Sequence, residues 1–361
     1  MAEVTTAMVK QLRELTGAGV LACKNALVEN DGDIDAAVET LRKKGEATAV
    51  KKANRIAAEG IVMLEVQDDK KAAIVEVNSE TDFVAKNEKF QTFVKGVLTH
   101  VLDSDAKTTE ELLAEKWDAD KTVNEELISL IATIGEKMTV RRFEKVVTDG
   151  TVVGYIHGGG RIGVLVEANV QANDDVKAAL KNVAMQVAAM SPQYISRADM
   201  SADEVAKLRE ITVDSALNTP ESLPKPILTK LLEQAAAEKF SAEDVATYGE
   251  QKNNLNYIFN FLSSEAKTQV AELAMAAKDT IASDKIFTGL VEGRVSKQLK
   301  EICLLDQVYV RAEDGKQTVE QYLKTVDAGL AIKKIVRFEV GEGIQKREEN
   351  FAEEVAKQMG L

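Results

Sequence analysis

The glycine run Gly158-Gly159-Gly160-Arg161-Ile162-Gly163 formally matches the G-x-G-x-x-G dinucleotide fingerprint. That chemistry needs a helix N-terminus directly after the loop, because its free N–H groups and dipole hold the pyrophosphate. Here Ile162 to Val170 follows, β-branched and strand-like, so the run reads as a hairpin turn. His157-Gly-Gly-Gly as a lipase-type oxyanion loop lacks its nucleophile, since no G-x-S-x-G serine occurs. Two histidines, His100 and His157, are too few for histidine catalysis or a histidine metal site. His157 reads as a hydrogen-bonded structural residue or a partner contact, and His100 as a plain helix residue among apolar neighbours. Cys23 and Cys303 exclude a disulfide scaffold and a cysteine-based zinc cluster and suit a reducing cytosol. Cys23, beside Leu21 and Ala22, reads as small-residue packing. Carboxylates are plentiful, but no spacing singles out an acid/base pair. The sequence predicts no cofactor, no metal and no covalent chemistry.

One segment asks for more than a structural explanation: Asn78-Ser79-Glu80-Thr81-Asp82-Phe83-Val84-Ala85-Lys86-Asn87. It joins a buried strand to a helix, where turn residues alone would suffice. Phe83 is either the first core residue of the following helix or an exposed aromatic anchor for a partner. Thr81 and Asp82 fit equally as the helix N-cap and its neighbour. Periodicity does not separate these options.

The elements that must position such a segment follow from the apolar periods. Met8, Leu12 and Leu15 recur at helical spacing behind a Thr5 or Thr6 cap, and Gly17-Ala-Gly19 breaks the pattern. A second helix puts Leu21, Leu27 and Val28 on one side, and a third carries Ile34, Ala37, Val38 and Leu41 after an Asp31-Gly32-Asp33 turn. From Arg42 to Arg55 six basic residues face one acidic residue, Glu46, the pattern of a solvated linker helix. After Gly60 the period becomes that of strands: Ile61–Val66 and Ala72–Val77 form a hairpin, a helix follows with Phe90, Phe93, Val94, Val97, Leu98 and Val101, more helix covers about 109–137, and Met138–Val147 returns to strand. The same order then repeats, with a hairpin of Thr151–Ile156 and Ile162–Val170 and a helix carrying Val176, Leu180, Val183 and Val187. Its closing strand lies far downstream, where Ile335-Val336-Arg337-Phe338-Glu339 resembles Val140-Arg141-Arg142-Phe143-Glu144. Two related β-β-α-β units are therefore predicted, the second split by a helical insertion. All four prolines, Pro192, Pro220, Pro224 and Pro226, mark breaks between the insertion's first helices, with further helix expected at about 226–239, 241–276 and 285–303. Phe351, Val355 and Met359 suggest a short terminal helix.

The fold class is thus α+β: an N-terminal three-helix (UBA-like) module, two related antiparallel β-β-α-β core subdomains, a helical insertion in the second and a short C-terminal helix. The expected divisions are 1–58, 59–148, 149–190 with 326–345, the insertion 191–325, and 346–361. A chain of 361 residues suits two to three domains of about 150 residues each. A net charge of −13 argues against nucleic-acid binding through bulk positive charge. No stretch approaches the ~18–20 apolar residues needed to span a bilayer. The opening stretch, with Glu3 and Glu14, is not expected to be a signal peptide. A cytoplasmic protein is expected.

Several segments taken together resemble one known family. LRELTGAGVLACKNAL and GDIDAAVETLRKKGEATAVKKANRIAAEG near the start, ETDFVAKN at 80–87, YIHGGGRIGVLVE at 155–167, AMQVAAMSPQYIS at 184–196, VEGRVSKQLKEICLLDQ at 291–307 and RFEVGEGI at 337–344 follow the order of bacterial elongation factor Ts. Members of that family are guanine-nucleotide exchange factors of elongation factor Tu. The resemblance implies that Thr81, Asp82, Phe83 and Val84 displace the magnesium ion from the partner GTPase, and that Arg13, Val20, Leu21 and His157 make further partner contacts. It also implies elongation factor Tu as partner, no direct nucleic-acid or membrane contact, and a possible homodimer through the helical insertion. The chain departs from the family pattern after the TGAG turn, where Val20, Leu21 and Ala22 stand in place of the usual two methionines and aspartate. The stretch 215–287 is longer than in shorter members.

Overall fold

A computed structural model describes residues 4–345. In chain order the elements are α1 (Thr6–Thr16), α2 (Val20–Glu29), α3 (Ile34–Lys52), β1 (Glu59–Gln67), β2 (Lys71–Ser79), α4 (Asp82–Ala85), α5 (Glu88–Asp103), α6 (Thr109–Ala114), α7 (Val123–Ile134), β3 (Met138–Val147), β4 (Thr151–His157), β5 (Ile162–Ala168), α8 (Asp174–Met190), α9 (Ala202–Leu217), α10 (Lys225–Glu238), α11 (Ala242–Gln251), α12 (Ser264–Ala276), α13 (Lys278–Ala282), α14 (Lys285–Ile302), α15 (Val319–Val326) and β6 (Ile332–Glu339). The chain forms two compact units, one running to Ser191 and resuming at Gln321, the other Pro192–Glu320. The fold is α+β, with the two three-stranded antiparallel sheets β1-β2-β3 and β4-β5-β6.

Within the first unit the sheets are built alike. β2 is buried almost throughout because both its faces are covered. Ala73, Val75 and Val77 meet the α5 face of Phe90, Phe93, Val94 and Val97, while Ala72 and Ile74 face the second sheet's Leu165, Val336 and Phe338. That two-sided burial turns the period-2 alternation of a strand into a continuous apolar run. Phe90 is fully buried, so truncating it to alanine would cost about 3–5 kcal/mol. Each hairpin turn reaches across to the other sheet's first strand. The Val152 N–H donates to Asp69 O at 2.8 Å, and the Val62 N–H donates to Gly160 O at 2.7 Å. The second contact explains the glycine run. Gly160 has φ +98°, and a Cβ there would lie 2.4 Å from Ile61 Cγ1. The run therefore closes a hairpin, as its strand-like sequel predicted.

Between the sheets lies a fully buried carboxylate, Glu76 on β2. It accepts hydrogen bonds from Arg142 Nε (2.6 Å), the Gly341 N–H (2.8 Å), Arg141 Nη1 (2.9 Å) and Asn78 Nδ2 (3.1 Å). Burial alone pushes the carboxyl up, and these donors more than offset it, leaving it below the ordinary glutamate value. The Arg-Phe-Glu pair of the two units meets here: Arg142 of β3 lies 4.3 Å over the Phe338 ring of β6.

Several elements differ from the sequence reading. On α2, Leu27 is buried with Cys23 and Ala26, while Leu21 and Val28 point to solvent. At about 100° per residue Leu21 sits far around the helix from Leu27, whereas Cys23 is one turn behind it. Leu15 is likewise exposed, leaving Leu12 as the α1 core residue. The expected helix over 109–137 is two helices, because Trp117 folds back between them. Its ring stacks with Phe93 at 5.4 Å and with His100 at 5.0 Å, over Gly96, where any Cβ would collide. The basic stretch from Arg42 is more than a solvated linker. It continues α3, and Arg42 pairs with Glu39, Glu46 and Glu125 while Arg55 reaches Glu80.

The second unit is helical, with a core that includes Leu217, Leu232, Ile258, Phe287 and Val291. Its expected helix over 241–276 is interrupted. Buried Asp244 accepts from the Ser263 N–H at 2.9 Å, and Ser263 restarts the chain as N-cap of α12. Its entering segment pairs with the end of α14, since the Tyr194 N–H donates to Ile302 O and the Leu304 N–H to Tyr194 O. The expected terminal helix with Phe351, Val355 and Met359 lies outside the described residues.

Candidate functional site

The strand β2 ends at Ser79, and the chain makes a single helical turn, α4, before α5 begins. Adjacent residues on such a turn point about 100° apart. Val84 accordingly enters the α5 core at 5% exposure, and Phe83 projects outward at 80%. Between the two sequence options for Phe83, the structure takes the exposed aromatic. Thr81 is the N-cap residue of α4 but does not cap it with its side chain. Its Oγ1 instead donates to Glu136 Oε1 at 2.8 Å, and its N–H donates to Glu136 Oε2 at 3.0 Å.

The C-terminal side is equally well held. Lys86 N–H returns to Phe83 O and Asn87 N–H to Val84 O. Asn87 Oδ1 then caps α5 by accepting from the Lys89 N–H at 2.9 Å. Asp82 and Lys86 pair at 2.7 Å one turn apart. The Lys86 ammonium holds the Asp82 carboxyl below the usual aspartate value and sits 6.0 Å from the Phe83 ring centroid. Phe83 is thus an apolar side chain on a fastened one-turn helix, with a charged pair beside it.

The N-terminal module supplies a second exposed apolar set. Around the α1–α2 corner, where Gly17 takes φ +67°, Leu15, Val20 and Leu21 are exposed, the last at 70%, and Arg13 is exposed with them. A cleft of about 510 Å³ is lined by Glu14, Leu15 and Gly17 of this corner and by Glu88, Lys89 and Thr92 at the start of α5. The corner and the chain just after Phe83 therefore border one cleft. His157 does not line it. It is exposed at the end of β4, where its Nδ1 lies 3.0 Å from the Tyr155 hydroxyl.

Among the described residues no group of three or more His, Cys, Asp or Glu side chains is placed to hold a metal. No described helix is long and apolar enough to cross a membrane. Cys23 is buried, its Sγ 3.7 Å from Ala18 O. Sequence reasoning missed Glu136 and Lys137. Their only local signal is the left-handed Gly135 that ends α7, which places a turn there without saying what it touches.

The sequence model of the family described as "Elongation factor TS" matches residues 80–342. The chain is 44% identical to elongation factor Ts of Clostridioides difficile (strain 630), over 99% of this chain and all of that protein. It is 44% identical to elongation factor Ts of Clostridium perfringens (strain 13 / Type A), over 99% of both chains. Against elongation factor Ts of Halothermothrix orenii the identity is 42%, over 97% of both. Taken with the α+β architecture, these matches show that the chain belongs to the elongation factor Ts family of translation elongation factors.

Proposed function

We propose that this protein binds elongation factor Tu in its GDP form, disturbs the magnesium and phosphate site, and promotes GDP release so that GTP can rebind. The observation that carries the reading is Phe83, a large apolar side chain left in solvent on a turn that is fastened at both ends. An exposed aromatic on a pre-organised element binds without first losing much conformational freedom. Magnesium bridges nucleotide phosphates and switch residues, so shifting those elements loosens both ion and nucleotide. Thr81 and Val84 anchor the turn, Phe83 is the wedge, and Asp82 supplies the polar contact that fixes it.

Magnitudes decide how much the wedge can do. Burying one phenylalanine supplies about 1.5–3 kcal/mol. A 10⁴-fold faster release needs roughly 5.5 kcal/mol, at about 1.36 kcal/mol per decade. The remainder comes from further contacts, for which Arg13, Val20 and Leu21 at the module corner and His157 on the second hairpin are the candidates. By linkage, nucleotide lowers the partner's affinity for this protein by the factor with which the protein lowers its affinity for nucleotide. GTP then expels the factor, and no covalent step is needed. The protein is in this reading a cytoplasmic exchange factor that acts by binding.

Release of a fluorescent GDP analogue from elongation factor Tu, with magnesium present, tests this directly. Acceleration by orders of magnitude at catalytic amounts of the protein is expected. Complex formation with no acceleration would overturn the exchange reading.

A further inference from the structure

The short turn Gly135-Glu136-Lys137, between α7 and β3, carries no residue so far given a part in binding. Its contacts to the Phe83 segment are reciprocal. The Glu136 carboxylate takes the Thr81 N–H and hydroxyl, and the Glu80 carboxylate takes the Lys137 N–H at 2.6 Å. Each segment's carboxylate thus accepts the other's backbone donor. Glu80 is steadied in turn by Arg55 Nη1 at 3.2 Å, and Lys137 Nζ donates to Arg55 O at 2.8 Å.

A helix of four residues has no stability of its own, because nucleation fixes several dihedrals for a single hydrogen bond. The orientation of α4 must therefore be imposed from outside. Val84 anchors one face in the core, and on the C-terminal side the Asn87 N–H donates to Val84 O and Gln91 Nε2 donates to Ala85 O at 3.1 Å. At the N-terminal side Ser79 Oγ donates to Thr81 O at 2.9 Å, and the contact from outside the segment is Glu136, whose carboxylate holds Thr81 through two atoms. We propose that Glu136 is a positioning residue, which sets the direction in which α4 presents Phe83. The inference rests on the exchange reading for its functional consequence and on geometry alone for the positioning.

The full chain is compared with Glu136→Ala, Glu136→Gln, Phe83→Ala and the Glu136→Ala/Phe83→Ala double variant. Two readouts are used: fluorescent GDP release from elongation factor Tu, and hydrogen–deuterium exchange of the amides at 81–85 in the free protein. Glu136→Ala is expected to lower the release rate at saturating factor at least fivefold, while the half-saturating concentration shifts less than twofold. Amide exchange over 81–85 should speed up tenfold or more with the thermal midpoint little changed. Glu136→Gln keeps an acceptor oxygen and should recover at least half of the rate. In the Phe83→Ala background the Glu136 change should add less than about 1.5-fold, because Glu136 acts through Phe83. Unchanged amide protection in Glu136→Ala overturns the proposal, as do rate losses that multiply in the double variant. If the wild-type protein itself does not stimulate release, the exchange reading falls. Amide protection then decides the positioning, upheld by its loss in Glu136→Ala and overturned by its persistence.

Discussion

The two β-β-α-β units differ at the junction between second strand and helix. In the second β-β-α-β unit the chain passes from β5 to α8 through 169–173, and each fixed group there has a structural use. Asn169 bonds Gly329 O and the Ala331 N–H beside β6, and Asn173 caps α8 by accepting from the Val176 N–H. In the first unit the equivalent passage, 80–87, inserts a helical turn, exposes an aromatic and recruits Glu136 to hold it. The repeat shows what the fold itself requires of this junction, and an exposed phenylalanine is no part of it. Under the proposed function, what the first β-β-α-β unit adds serves binding.

The largest loss is expected at the buried Glu76 cluster that joins the two β-β-α-β units. Glu76→Ala would leave Arg141 and Arg142 without their buried partner, and a loss of about 3–5 kcal/mol is expected from denaturant unfolding. Acid should act on the same group. Because the folded carboxyl titrates below the ordinary value of 4.5, its stabilisation is complete above that pH and is lost as pH falls through the folded value. The stability difference between wild type and Glu76→Gln should therefore shrink below about pH 4.5, and a difference constant with pH would count against the ion cluster.

Phe83→Ala should come next, slowing stimulated GDP release tenfold or more while the thermal midpoint stays within a few degrees, since the side chain contributes almost nothing to the core. Leu21→Ala, on the module corner, should weaken binding to elongation factor Tu about two- to fivefold in a titration and leave folding unaltered. The reverse substitution, an aromatic added to the second β-β-α-β unit, should have the smallest effect. Ala172→Phe places an exposed aromatic on the second unit's junction, and neither exchange rate nor stability should move by more than about 0.5 kcal/mol. A gain of exchange activity there would mean that any exposed aromatic serves, and that the α4 turn has no special role.

Much of this architecture is legible in the sequence because it rests on local periods. The α5 stripe from Phe90 to Val101 and the α8 stripe from Val176 to Val187 are buried as spaced. The returning strand with Arg337-Phe338-Glu339 pairs with β5, as its likeness to β3 predicted. The reading fails where small residues do the packing. Cys23 and Ala26 set the α2 interface, so the larger Leu21 and Val28 drew the stripe to the wrong side. It also fails where one side chain reorganises a segment, as Trp117 does between α6 and α7 and Asp244 does between α11 and α12. At the site, Thr81–Val84 stands out by composition, but the direction of Phe83 does not. The contacts that hold its turn come in part from Glu136, far along the chain, through hydrogen bonds that leave no periodic trace.

The central claim is that Phe83, held outward on α4, drives nucleotide exchange. The most direct test is a stopped-flow comparison of wild type and Phe83→Ala in releasing a fluorescent GDP analogue from elongation factor Tu with magnesium present. The account predicts strong acceleration by the wild type and at least a tenfold lower rate for a Phe83→Ala protein with unchanged circular dichroism. Equal rates from the two folded proteins would contradict it.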